Sequence, residues 1–148
     1  MSEAVLDANV LVAWFDESDS LHARATALVE ELEHQGVELV MLDVIVGEAV
    51  SVLCRRCRDK KNMPTLPVML SKLRQWLDPS NIMWVGVEVE RVYNEILDVV
   101  DASRGRLNFN DALLVVLQRE GRIGSLATFD GAFAGVDGFT LIKLEDGT

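Results

Sequence analysis

The chain has 148 residues, room for one domain with a substantial core and too little for two. Hydrophobic residues make up 49% and charged ones 26%, with 3 Pro and 10 Gly, a balance that excludes a disordered chain; no apolar run approaches the roughly 18 to 20 residues that span a bilayer, and Met1-Ser2-Glu3-Ala4 lacks the basic start of a secretory signal. A single cytoplasmic domain over 1–148 is expected, without membrane attachment, and 14 Lys and Arg against 24 Asp and Glu (net −10) exclude nucleic-acid binding by overall charge, so any such contact is local or bridged by metal.

Ala4-Val5-Leu6 is a short apolar run closed by Asp7, which reads as a buried strand, and an apolar segment follows at 10–15. From Leu21 the positions Ala25, Leu28, Val29 and Leu32 keep helical spacing up to the stop at Gly36, with acids and Arg24 on the opposite face. Residues 37–42 predict a second strand. Val46, Ala49, Val50, Leu53 and Cys57 then mark a helix with a basic end at 55–61. Pro64 and Pro67 break the chain before a helix through Leu70, Leu73, Trp76 and Leu77, which Asp78-Pro79 ends. A strand at 82–85 precedes a helix marked by Val89, Val92, Tyr93, Ile96, Val99 and Val100. The run 112–117 behind Asn110-Asp111 is apolar on nearly every side and predicts a buried helix. Strands are expected at 125–128 and 139–144, and a frayed polar end at 144–148. Alternating strands and helices imply an α/β fold: three layers, α/β/α, around a mostly parallel sheet.

In such a fold, chemistry gathers where strand ends meet helix starts. Four carboxylates occupy those junctions: Asp7 after the first strand, Glu48 in the helix after the second, Asp111 at the head of the buried helix, and Asp130 after the strand that ends at Thr128. Each has a structural alternative. Asp7 and Asp111 suit helix caps, and Asp130-Gly131 is a common turn pair. Glu48 lies among Val46, Ala49 and Val50, where a carboxylate is costly unless a cation compensates it. Four converging acids would repel one another unless an ion joined them, and all-oxygen donors suit Mg²⁺ or Mn²⁺ rather than zinc. Such ions support phosphodiester displacement by water, in keeping with the absence of a nucleophile elbow, a P-loop, a dinucleotide fingerprint or a zinc-protease helix. Cys54 and Cys57 lie near a helix end, whereas a redox pair opens a helix after a strand. His22, after Asp19-Ser20, suits capping or packing. A phosphoacceptor receiver would also cluster acids and Mg²⁺, but it needs paired acids after the first strand and a late lysine, and the only lysine after position 72 is Lys143.

The segments Leu6-Asp7-Ala8-Asn9-Val10-Leu11, Gly47-Glu48-Ala49, Asn110-Asp111-Ala112-Leu113-Leu114 and Thr128-Phe129-Asp130-Gly131-Ala132-Phe133, in that order and spacing, resemble the PIN-domain ribonucleases, and among them the VapC-type toxins of toxin–antitoxin pairs. The resemblance covers nearly the whole chain. It implies a PIN-like fold and a Mg²⁺- or Mn²⁺-dependent endoribonuclease leaving a 5′-phosphate and a 3′-hydroxyl. Asp7, Glu48, Asp111 and Asp130 would take the places of the four metal-site acids, with Asn9 and Thr128 as polar helpers. The partners it implies are an RNA substrate, a cognate antitoxin whose tail covers the acidic groove, and a second copy in a homodimer. Two other functions stay open: an inactive PIN-like interaction module and a housekeeping RNA-processing nuclease.

RNA phosphates need cations. Arg55, Arg56, Arg58, Lys60 and Lys61 crowd one stretch against Asp59 alone, and Arg104 and Arg106 precede Asp111. The arginines of both groups are candidate phosphate contacts, although cations at a helix end also suit its dipole. Trp14 and Phe15 are expected in the core rather than on a base.

Overall fold

In a computed structural model, residues 2–144 are described. The first strand, β1 (Glu3–Leu6), is central: Ala4, Val5 and Leu6 are fully buried, as expected of a parallel strand covered on both faces. It pairs with β2 (Glu38–Leu42) on one side and β4 (Ser125–Ala127) on the other, and β2 pairs with β3 (Ile82–Met83), all parallel, in the order β3-β2-β1-β4. The register aligns Val5 with Val40, Leu6 with Ala127 and Leu42 with Met83. The strands therefore end at nearly the same level.

Six α-helices connect these strands among the described residues: α1 (Ala8–Phe15), α2 (His22–His34), α3 (Asp43–Asp59), α4 (Thr65–Trp76), α5 (Val89–Ala102) and α6 (Phe109–Arg119). The chain moves outward from β1 to β2 to β3, then returns across the sheet to β4. Right-handed crossovers thus place α1 to α4 on one face and α5 and α6 on the other. Packing agrees, for α1 touches α2, α3 and α4, while α5 lies on α6. This is a three-layer α/β/α fold with an all-parallel sheet. No helix among the described residues is long and apolar enough to cross a membrane.

Local chemistry explains the element ends. Residues 112–117 of α6 are all buried, so this helix is apolar around most of its circumference. Pro67 stands in the first turn of α4, where its missing N–H breaks no intrahelical bond. Trp14 and Phe15 pack with Trp76 at ring separations of 4.0 and 5.6 Å, the core role expected of them. His22 opens α2, its Nδ1 2.8 Å from the Ala13 carbonyl.

Two predicted strands are corrected. The strand expected at 82–85 stops at Met83 because the Asp43 carboxylate accepts from the Val85 and Gly86 amides at 2.8 and 3.0 Å and turns the chain. A Cβ at residue 86 would stand 2.9 Å from Asp43 Oδ2, so a side chain there would push this carboxylate off the two amides. The stretch expected at 139–144 forms only a single parallel bridge, Leu141 to Leu126. The Thr140 carbonyl keeps its bond from the Leu126 amide at 3.1 Å, but Gln118 stands between the next pair of backbone groups, accepting from the Thr140 amide at 2.7 Å and donating to the Gly124 carbonyl at 3.0 Å. Of the polar end expected at 144–148, residues 145–148 lie outside the described residues.

Candidate active site

The strand order reverses between β1 and β4, and ligands of open α/β sheets bind at the carboxyl ends of strands at such a reversal. Asp7 and Thr128, each the first residue past its strand, face one another there. Thr128 Oγ1 donates to Asp7 Oδ2 at 2.7 Å, and Asp7 Oδ1 caps α1 by accepting from the Ala8 amide at 2.8 Å. Asn9 locks the pair: its Nδ2 donates to Thr128 Oγ1 at 3.0 Å, and its Oδ1 accepts from the Phe129 amide at 3.0 Å. Thr128 Oγ1 also accepts from the Asp130 amide at 3.0 Å. With one donor and two acceptor positions all used, the hydroxyl of Thr128 has no free lone pair and is a positioning group, not a nucleophile.

The other acids arrive from three elements. Glu48 lies in the second turn of α3, half-buried. Asp111 stands in the first turn of α6 and accepts from the Asn108 amide at 3.1 Å, while Asn108 Oδ1 accepts from the Asp111 amide at 2.8 Å. This reciprocal capping box makes Asn108 the cap, correcting the expectation that Asp111 itself suits that place. Asp130 caps the short 3₁₀ turn Gly131–Phe133 through the Ala132 amide at 2.9 Å. Asp7 and Asp130 thus hold the capping and turn positions that their residue types suit, alongside any chemistry.

Electrostatics couples the four acids. Burial pushes the Asp7 carboxyl up to about 6, against the lowering bonds from Thr128 and Ala8, and the charges of Asp111 and Glu48 raise it further. Glu48 is raised by burial and by Asp111, with the amide of Asn110 pulling the other way. Asp111 is raised by burial, lowered by the Asn108 amide and raised by Asp130. Asp7, Glu48 and Asp111 are held above the usual carboxylate range because burial disfavours their charged forms and neighbouring anions add to it. Among the described residues, however, no three acids form a ready chelating group.

The predicted arginines divide. Arg56, half-buried near the end of α3, bonds Asp16 at 3.1 Å and Asp19 at 2.6 Å. Those bonds raise its pKa although burial opposes them, so its charge is already answered within the fold. Arg55 and Arg58 are exposed on the same helix. Arg104 is exposed with a φ of 54°, and Arg106 reaches the turn beside Asp130, its Nε donating to the Ala132 carbonyl at 3.1 Å. Three contributors were not predicted: Asn108, Asn110 and the Arg24–Phe129 pair. The pattern Asn108-x-x-Asp111 was readable as a capping box; nothing local marks Arg24.

The PIN domain family model matches residues 4–138, a span holding all four acids, Asn9 and Thr128. No curated protein matches the chain. With the sheet order, the helix layers and nearly the full length in agreement, the chain belongs to the PIN-domain family, whose members are generally nucleases.

Proposed function

We propose that this protein is a metal-dependent endoribonuclease that hydrolyses RNA phosphodiesters to a 5′-phosphate and a 3′-hydroxyl, and that it is the VapC-type toxin of a toxin–antitoxin pair. The observation carrying this reading is buried Asp7 at the strand-order reversal, its carboxyl raised to about 6 by burial, with Asp111 and Glu48 close enough to raise it further and Asp130 acting on Asp111.

The donor set fits Mg²⁺ or Mn²⁺. Every available group is a carboxylate or neutral oxygen, and neither cysteine lies in the cluster. An ion that keeps several waters and takes one or two carboxylates plus a substrate phosphate suits acids that do not close into a dry cage. Asp7, Glu48, Asp111 and Asp130 would hold it. When bound, such an ion acidifies water and offsets charge building on the phosphate. The chain supplies orientation: Thr128 and the Ala8 amide fix the Asp7 carboxylate, Asn9 fixes Thr128, and the capping box fixes Asp111. The 5′-phosphate and 3′-hydroxyl ends call for water as the nucleophile, and the fully engaged Thr128 hydroxyl does not compete with it.

A cleavage assay on single-stranded RNA with Mg²⁺ or Mn²⁺, comparing the native protein with Asp7→Asn, tests the chemistry. Cleavage lost in the variant, with 5′-phosphate ends, is expected; no cleavage with either ion sinks the nuclease reading. That null result would install the competing reading, an inactive interaction module. The toxin role predicts growth arrest on induced expression, relieved by a partner protein, whereas a housekeeping nuclease causes no arrest. Homodimerisation, which rests on family resemblance, belongs to the same reading, as does a cytoplasmic site of action.

A further inference from the structure

A cluster of four acids in a protein of net charge −10 repels the polyanion it would cut, so cations must stand close by without being consumed by the fold. We propose that Arg24 and Arg106, flanking the loop 128–132, are the pair that grips the RNA phosphates beside the acids. The inference deepens the nuclease reading and rests on it for the identity of the polyanion.

Arg24 projects from α2 with its guanidinium carbon 5.0 Å from the centroid of the Phe129 ring. The amide of Phe129 is held by Asn9, which also holds Thr128 and, through it, Asp7. The ring carrying Arg24 is therefore placed by the same bonds that place the first acid. Stacking uses the face of a guanidinium and leaves its N–H edges free for a phosphate. On the far side of the loop, Arg106 spends only Nε among the described residues, on the carbonyl of Ala132, whose amide bonds Asp130. Gly135 lies beneath that guanidinium, for a Cβ there would stand 3.1 Å from Nη2. Both terminal nitrogens of Arg106 keep their donors.

Being held in place by a neutral group at the loop 128–132, rather than merely lacking an acid partner among the described residues as Arg55 and Arg58 also do, separates this pair from the basic run. The ion pairs among the described residues engage Arg56, Lys72, Arg91 and Arg122, and neither Arg24 nor Arg106 has a carboxylate within 4.0 Å there. Each is oriented by a ring or a carbonyl, neutral groups that position a cation and leave its charge uncancelled. Charge-assisted bonds to phosphate are the strong use of such a fork.

The test measures affinity of the Asp7→Asn protein for a fluorescent single-stranded oligoribonucleotide, in Mg²⁺, over a range of salt. Arg24→Ala and Arg106→Ala are each expected to weaken binding about tenfold and to reduce the slope of log K against log salt by about 1, the signature of one lost phosphate contact that a merely structural role would not produce. Arg24→Lys keeps the charge and should keep the slope, even if the loss of stacking lowers stability. Unchanged affinity and slope in both alanine variants overturn the proposal, as does absence of binding at any salt. Native protein that cleaves RNA under either of those results leaves the nuclease reading standing; lowered slopes with no cleavage by native protein sink that reading and leave the phosphate grip.

Discussion

Two charged regions of this protein look equally distinctive as sequence and behave in opposite ways once folded. The basic run at the end of α3 is the densest concentration of cations, yet its half-buried member, Arg56, is answered by Asp16 and Asp19, which fold back from the loop after α1. The four acids are scattered over more than 120 positions, yet β1, α3, α6 and the turn after β4 bring them to one end of the sheet with no cation paired to them among the described residues. Density along a chain is thus a poor guide to free charge. What counts is whether the fold supplies a counter-charge, and here it supplies one to Arg56 and none to the acids among the described residues.

The largest effect should come from Asp7→Asn. Cleavage should fall roughly a thousandfold or more, on the order of 4 kcal/mol of transition-state stabilisation, measured as kcat/KM with Mn²⁺. The same change should stabilise the protein in chelator. A carboxyl raised from 3.8 to about 6 binds its proton more tightly in the folded state than in the unfolded one, so folding stability falls as pH rises between about 4 and 6. The variant should gain up to about 3 kcal/mol at pH 8 and nothing near pH 4. Asparagine keeps the helix cap, so capping does not confuse the comparison. Equal unfolding temperatures at pH 8 would mean that the carboxylate is not desolvated as its burial implies.

Thr128→Val comes next. It removes a donor to Asp7 and an acceptor for Asn9 and the Asp130 amide, at a cost of about 1 to 3 kcal/mol. A cleavage loss of about 10 to 100-fold is expected from a misaimed Asp7. Thr128→Ser should restore most of it, and if the serine variant is as impaired as valine the hydroxyl is not the operative group.

The basic run should answer weakly and in the other currency. Arg56→Ala should lower stability by about 1 kcal/mol, reading out in urea, because two acids lose a partner that is itself partly exposed. Its kcat/KM should stay within about twofold of native. Arg55→Ala and Arg58→Ala should change stability by less than about 0.5 kcal/mol. A cleavage defect confined to these three, with Arg24 and Arg106 silent, would reverse the roles of the two regions.

Much of the fold was legible because it rests on local pattern. The helices at His22–His34, Val89–Ala102 and Phe109–Arg119 follow from apolar spacing and stops, and the buried run of β1 from its uninterrupted apolar character. The acids could be picked out because each follows a strand or enters a helix, which in a parallel sheet puts them all at one edge. Other features were not legible because their partners lie far away along the chain. Gln118 takes the amide of Thr140, 22 positions on, where the pairing with Leu126 is limited to a single bridge. Asp43 takes the amides of Val85 and Gly86, more than 40 positions on, and shortens β3.

The sequence by itself therefore determined the alternation of elements, the parallel class of the sheet and the candidate acids, because periodicity and junction position are properties of neighbouring residues. Only the tertiary structure decided which charges remain available. Asp7 titrates high because strands β1 and β4 bury it, Arg56 is neutralised because the loop after α1 reaches it, and Arg24 stands free on the ring of Phe129. Desolvation and counter-charge act through space, and the distances that set them exist only after the chain has closed.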